Sequence, residues 1–324
     1  MTTTSTRRVR VHAITWLSPT VRSVVLASLD GQPLPPAEPG AHVDVQLGPQ
    51  LSRSYSVVGN AGSPGRYEVA VARDAASRGG SRHVHEALRV GDELTIGAPR
   101  NLFPLHEDAA DTVLIAGGIG ITPLWAMAQR LHALGRRWTL HYAARSRAHA
   151  AYVEDIQALA AQQPGAQLHL HFDDEQGGAF FDMAAAVAAA PADAHLYCCG
   201  PQPMLAAYEA ATAGLPAGHV HLERFAPAAP AAGEGPRAFE VVLARSARRL
   251  TVPADRSILD VLLENGVDAQ YGCMQGACGL CETAVLEGTP EHRDTLLSPE
   301  AKAAGRCMLV CCSRSKTPSL TLDV

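Results

Sequence analysis

The stretch GCMQGACGLC, residues 272 to 281, places Cys273, Cys278 and Cys281 in one short loop with the spacing C-x4-C-x2-C, and Cys311 follows after 29 further residues. Three cysteines in one loop with a distant fourth is the spacing by which plant-type ferredoxins hold a [2Fe–2S] cluster through four thiolates. Gly272, Gly276, Ala277 and Gly279 are small. Small residues let a loop wrap tightly and turn backbone N–H groups toward cluster sulfurs. Zinc sites instead pair two C-x2-C knuckles or add a nearby His pair, and this loop has neither. For the fourth ligand the run RCMLVCC, residues 306 to 312, offers Cys307, Cys311 and Cys312. Cys311 ends the apolar run and is the expected ligand, with Cys312 as the alternative.

Working outward, residues 238–324 form one expected unit. It opens with a hairpin-like pair, FEVVLARSARRLTVP, followed by SILDVLLENG, in which Ser257 can cap a helix and Gly266 can end it. Just upstream, APAAPAAGEGPR (226 to 237) is rich in Ala, Pro and Gly and has no periodicity, so a linker is expected over 228–237.

Residues 105–227 alternate strand and helix patterns: TVLIAG, WTLHYAA, QLHLHF and HLYCCG are strand-like, with helical segments between them. That alternation implies a parallel, doubly wound sheet of Rossmann type. AGGIGITP, Ala116 to Pro123, runs from strand to helix, and Gly117, Gly118 and Gly120 would let the backbone approach a pyrophosphate at the helix start. Cys199-Gly200-Pro201 closes a later strand of the same sheet, where a nicotinamide would lie. No acidic residue ends the strand WTLHYAARS; Arg145 and Ser146 stand there instead. The usual ribose contact of NAD is therefore missing, and NADPH stays open beside NADH.

Residues 1–104 carry short β-rich runs, VRSVVLASL, AHVDVQL, RSYSVVG, RYEVAVARD and DELTIGAP, broken by Gly, Pro and Asp. These predict a small antiparallel barrel. A nicotinamide gives up two electrons together as hydride, whereas a [2Fe–2S] cluster takes one at a time, so a flavin is needed between them. In the barrel, Arg53 could meet a flavin phosphate, Tyr55 cover the ring and Ser56 bond its reactive edge. Arg78-Gly79-Gly80-Ser81, before the short helix pattern HVHEAL, offers a second phosphate cradle.

Composition narrows the function further. The net charge is −5 at pH 7, without the basic excess that a phosphate backbone requires. No apolar stretch has the length of a signal peptide or a membrane span. Six of the eight cysteines fall between 273 and 312, a clustering that fits a metal site in a reducing compartment better than a disulfide framework. A cytoplasmic monomer with neither nucleic acid nor membrane as partner is expected. None of the 14 histidines falls in a motif, and His141, His169 and His171 read as structural strand residues.

RSYS, RGGS, GGIGITP, CCGP and the cysteine pattern, in that order over essentially the whole chain, resemble the phthalate dioxygenase reductase family, which includes vanillate demethylase reductases. The resemblance implies an antiparallel flavin barrel, a Rossmann-like NAD domain and a C-terminal β-grasp ferredoxin domain. It implies FMN rather than FAD, with Arg53, Tyr55, Ser56, Gly80 and Ser81 as contacts and Ser54, Ala70 and Ala72 beside them. Thr122, between Ile121 and Pro123, should lie near both flavin and nicotinamide, and Phe225 near the flavin. Electrons would pass from NADH through FMN and [2Fe–2S] to a terminal Rieske-type oxygenase, leaving by the loop around Met274 to Ala277. The rival readings are an FAD-containing reductase serving a diiron monooxygenase and a regulatory subunit that binds nucleotide and metal without turnover.

Overall fold

A computed structural model describes residues 6–48, 51–60, 62–75, 77, 79–225, 237–271, 274, 276 and 279–324. Arg78, Cys273 and Cys278 lie outside the described residues, as do all linker positions except Arg237. The chain divides into two compact units, Met1–Arg224 and Phe225–Val324.

The first unit begins with an antiparallel barrel made of β1 (Thr6–Ser18), β2 (Val21–Ser28), β3 (Ala41–Gly48), β4 (Leu51–Gly59), β5 (Arg66–Ala72) and β6 (Glu93–Gly97). Their order is β4-β5-β2-β1-β6-β3, and β3 pairs back onto β4, so the sheet closes. A two-residue strand, β7 (Arg100–Asn101), also pairs with β3, and the short helix α1 (Gly80–Glu86) follows β5. Alternation explains the barrel core: Val43, Val45 and Leu47 of β3 point inward while Asp44 and Gln46 do not.

The same unit continues into a five-stranded sheet of β8 (Asp111–Gly117), β9 (Arg137–Ala144), β10 (Ala166–Phe172), β11 (His195–Cys199) and β12 (Val220–Glu223). All its pairs are parallel, and the order is β10-β9-β8-β11-β12. Helices α2 (Ile121–Ala133), α3 (Val153–Ala160), α4 (Met183–Ala188) and α5 (Gln202–Thr212) connect the strands. Helix α2 is buried over most of its circumference, from Ile121 through Ala128 and again at Leu131, because it is covered on two sides. Its Leu124 and Met127 share one apolar cluster with Leu114 and Tyr142 of the sheet and with Val21, Val58 and Ala70 of the barrel. Polar ties cross the same boundary: Gln129 Nε2 donates to the Val58 carbonyl at 3.1 Å and Tyr152 Oη to Glu68 at 2.9 Å. Barrel and parallel sheet therefore make one compact unit, with residues 102–110 as a short connection between them.

The second unit holds a mixed sheet ordered β14-β13-β19-β15-β17, from β13 (Phe239–Leu243), β14 (Arg248–Val252), β15 (Glu282–Glu287), β17 (Cys307–Leu309) and β19 (Ser319–Leu322). A two-stranded pair, β16 (Pro290–Glu291) with β18 (Arg314–Ser315), stands beside it, with α6 (Ile258–Glu264) and α7 (Pro299–Ala304). β13 runs antiparallel to β14 and parallel to β19, and Ile258, Leu259 and Leu262 of α6 complete the core. This is the helix-over-sheet arrangement of a β-grasp. Ser257 caps α6 in a reciprocal capping box with Asp260, and Gly266 follows the helix at φ 69°. The Arg314 guanidinium, nearly enclosed, donates to the carbonyls of Arg256, Arg237 and Pro253 and lies 5.0 Å from the Phe239 ring centre.

Candidate flavin, nucleotide and cluster sites

The crevice of a doubly wound sheet opens at its carboxyl edge, where successive connections leave in opposite directions. Here that point lies between β8 and β11, which pair in register from Thr112 and His195 to Ala116 and Cys199. Gly117 ends β8, and Gly118–Gly120 form one turn of 3-10 helix before α2. The loop after β11, Gly200-Pro201, stands against it.

The three loop glycines do different work. A Cβ on Gly120 would sit 2.1 Å from the Cys199 carbonyl oxygen, and one on Gly117 would sit 2.6 Å from both Met204 Sδ and Pro201 Cδ. Those two glycines are required by the close approach of the two loops to each other. Gly118, at φ 53°, has nothing within 4 Å of its Cβ position. It is the glycine of the loop that faces open space. A Cβ on Gly200 would come within 3.2 Å of Gly117 Cα, so the CGP turn and the GGIG turn are cut to fit one another.

Thr122 is 2% exposed and its hydroxyl donates to the Ile119 carbonyl at 3.0 Å. Ile121 and Pro123 are likewise buried. The structure thus leaves Thr122 without an exposed hydroxyl, because it closes the first turn of α2. Cys199 is fully enclosed, and burial pushes its thiol well above the ordinary range, with the Glu223 carboxylate adding to the shift. Arg145 is exposed just beyond β9, while Ser146 Oγ is 2.7 Å from His149 Nδ1. Phe225 is 39% exposed.

On the barrel side, β4 alternates. Ser54 and Ser56 stand on one face, opposite Asp44 and His42 of β3, and Val58 on that face joins the cluster around α2. Arg53, Tyr55 and Val57 stand on the other. Ser54 Oγ donates to Asp44 at 2.5 Å, and Asp44 in turn pairs with Arg100 at 2.7 Å. The Arg53 stem lies over the start of α1, so a Cβ on Gly80 would be 2.5 Å from Arg53 Cγ. Gly79, at φ 97°, turns the chain into α1, and Ser81 Oγ is held by Ser77 Oγ at 2.9 Å and the Asp74 N–H at 3.2 Å. Ala70 is buried and Ala72 half-buried against the cluster around α2. Tyr55 packs against the barrel core with its hydroxyl buried and, among the described residues, without a hydrogen-bond partner; burial raises that hydroxyl to about 12. His42, opposite Ser56, has a buried Nε2 that also has no partner among the described residues. Buried orphans of this kind cost about 1 to 3 kcal/mol each. His42, on the Ser56 face, fits the polar edge of a ring and the Arg53-over-Gly80 cradle fits a phosphate, whereas Tyr55 faces the barrel core on the other side of β4. His42 carries no motif, and only its cross-strand position reveals it.

In the second unit Cys281, Cys311 and Cys312 are buried together, and the Cys311 thiol hydrogen-bonds with both of the others. Those contacts and burial push the Cys311 thiol far above its usual range. Gly276, at φ 78°, lies so close that its Cβ would be 2.5 Å from Cys312 Sγ and 2.9 Å from Asp294 Cα. Cys307 is set apart in β17, opposite Ala284 and beside Glu282. Convergent soft thiols under a glycine turn are the donor set that an iron–sulfur cluster requires.

Residues 114–210 match the oxidoreductase NAD-binding domain and residues 241–316 the 2Fe-2S iron-sulfur cluster binding domain. The chain is 48% identical over 321 residues to a tetrachlorobenzoquinone reductase of Sphingobium chlorophenolicum, covering 99% of this chain and 98% of that protein. It is 48% identical over 315 residues to a phenoxybenzoate dioxygenase subunit beta of Ectopseudomonas oleovorans, covering 97% and 96%. The solved structure of phthalate dioxygenase reductase, described as a modular structure for electron transfer from pyridine nucleotides to [2Fe-2S], superposes with a TM-score of 0.83 at 34% identity, over 99% of this chain and 98% of that one. The chain belongs to the phthalate dioxygenase reductase family. As in that family, the flavin barrel precedes the nucleotide sheet and the cluster domain comes last. Among the described residues no helix is long and apolar enough to cross a membrane.

Proposed function

We propose that this chain is the NADH-dependent reductase component of a two-component oxygenase. In this reading electrons pass from NADH through FMN and a [2Fe–2S] cluster to a Rieske-type terminal oxygenase in the cytoplasm. The observation that carries the proposal is the joining of two sites in one unit. The flavin strand β4 and the nucleotide loop both abut α2, through Val58, Gln129 and Ile121. A bound flavin supplies the conversion of hydride into single electrons, and a thiolate-held cluster supplies their outlet.

The protein's own residues bind and orient. Gly118 opens the loop to a dinucleotide pyrophosphate, and the Gly117–Gly200 contact fixes the crevice that receives the nicotinamide. Arg53, with Gly79 and Gly80, holds the flavin phosphate, while Ser56 and His42, on the face of β4 opposite Tyr55, offer polar atoms to the ring. Arg78 belongs to the same cradle by sequence. Cys273, Cys278, Cys281 and Cys311 hold the cluster, Cys311 being favoured over Cys312 by its thiol contact to Cys281. Cys312 Sγ turns instead toward the Leu309 carbonyl and Ser313 Oγ. No side chain is assigned as acid or base: the two electrons of the hydride would leave singly, and its proton would be released from the flavin to solvent. The turn around Met274 and Gly276 is the exit face.

Steady-state oxidation of NADH with a one-electron dye tests this reading. Turnover that needs both flavin and iron supports it, whereas turnover indifferent to cluster removal would reduce the chain to a plain flavin reductase. A second reading, direct electron delivery to a small quinone, draws on the relative of that name at 48% identity. Comparing quinone with a purified oxygenase as acceptor separates the two.

A further inference from the structure

Four histidines gather at the amino edge of the parallel sheet, the end opposite the nucleotide loops. His195 opens β11, and His221 lies in β12 opposite Tyr197, with His219 two residues before it. His106 comes from the connection between barrel and sheet, where its backbone N–H donates to Tyr197 Oη at 2.9 Å. One ring nitrogen from each of His106, His195 and His221 lies within 4.8 Å of the others. His195 Nδ1 and His221 Nε2 are already 3.0 Å apart. The His106 ring is centred 4.6 Å from that of His195 and 4.9 Å from that of His221. His219 stacks on His195 at 4.6 Å, and its Nδ1 is buried without a partner among the described residues.

Nothing in hydride or electron transfer uses these side chains. His195 is four residues from Cys199 along one strand, so the cluster of rings stands about 13 Å from the nicotinamide crevice at ~3.3 Å per residue. Imidazoles brought together from three separate segments are the donor set of borderline divalent ions, which bind nitrogen at about 2.0 to 2.1 Å. Tetrahedral coordination at that length sets neighbouring nitrogens about 3.3 Å apart; the His195–His221 pair already stands at 3.0 Å, and the His106 nitrogen, within 4.8 Å, would close on them when an ion binds.

We propose that His106, His195 and His221 form a binding site for a divalent transition ion of the zinc class, with His219 or a water completing the coordination. Such an ion would tie the connection between barrel and sheet to the edge strands β11 and β12, stapling the first unit at the end away from the chemistry. The proposal is independent of the electron-transfer reading, since it requires neither flavin nor cluster.

The test uses tag-free, full-length protein with its cluster loaded, stripped of loose metal with a chelator and titrated with zinc chloride by calorimetry. One equivalent bound at micromolar affinity, with a rise in thermal midpoint of a few degrees, is expected. His106→Gln, at an exposed position, and His195→Gln should each weaken binding at least tenfold, leaving cluster absorption and dye reduction unchanged. Cobalt substituted at the site should show a nitrogen-ligand spectrum that His106→Gln alters, a readout that stands even if His195→Gln misfolds. No stoichiometric binding, or undiminished binding in His106→Gln, would overturn the proposal, the latter placing the ion elsewhere.

Discussion

Replacing Gly120 by alanine tests the interlocking of the two nucleotide loops. The new Cβ would lie 2.1 Å from the Cys199 carbonyl oxygen, 2.4 Å from its carbon and 2.8 Å from the Gly200 nitrogen. All three are backbone atoms at the end of a central strand, so no side chain can swing aside. Relief needs about 1.4 Å of separation between α2 and the turn after β11, given ordinary contact distances of ~3.5 Å. Overpacking of a closed core costs about 1 to 3 kcal/mol, and an obstacle made of backbone places this change in the upper half of that range. For a unit of this size the thermal midpoint should fall by about 4 to 12 °C. Gly118→Ala is the matched control: it meets nothing within 4 Å and bears only the left-handed φ of 53°, worth about 1 to 2 kcal/mol. Its Cβ points where a pyrophosphate would approach, so KM for NADH should rise at least tenfold. Thermal unfolding followed by circular dichroism, with NADH kinetics on both variants, reads the difference. A Gly120→Ala protein as stable as the parent, or less affected than Gly118→Ala, would refute the loop-packing account.

Three other perturbations follow from the same geometry. His42 is held near pKa 4, first by burial and then by the Arg100 guanidinium, with Asp44 opposing. Its unfolded form takes up a proton near 6.5, so its contribution is present above that pH and lost as pH falls toward 4, by about 3 kcal/mol at most. His42→Gln should flatten urea unfolding free energies between pH 4 and 6.5, and an unchanged slope would contradict the buried neutral ring. Arg314→Ala removes a buried guanidinium that donates to three carbonyls and should cost about 1 to 3 kcal/mol, read as faster loss of cluster absorption in urea. Iron analysis discriminates the fourth ligand: Cys311→Ser should lose most cluster iron and Cys312→Ser retain it, with the reverse pattern reassigning the ligand.

Much of this molecule is legible in its local patterns. Alternating Val43, Val45 and Leu47 mark a barrel strand, Ser257 with Asp260 marks the start of α6, and C-x4-C-x2-C marks a cluster loop. What the chain does not show locally is what each residue faces. Gly117, Gly118 and Gly120 look alike in sequence, yet two of them accommodate the neighbouring CGP turn and one faces open space. Thr122 follows the same loop but spends its hydroxyl on Ile119. Barrel and sheet read as separate domains because their patterns differ, whereas α2 is shared by both cores. The histidines at 106, 195 and 221 span 116 positions of chain; the parallel register of β11 and β12 brings the last two together, and the bond from the His106 N–H to Tyr197 adds the first.

The electron-transfer account is tested most directly by anaerobic titration of the purified protein with NADH, followed by absorption spectroscopy, with the released flavin then identified by chromatography. Loss of both flavin and iron–sulfur bands, with FMN as the flavin, is the predicted result. Zinc in place of iron, or bands that NADH leaves unchanged, would contradict it.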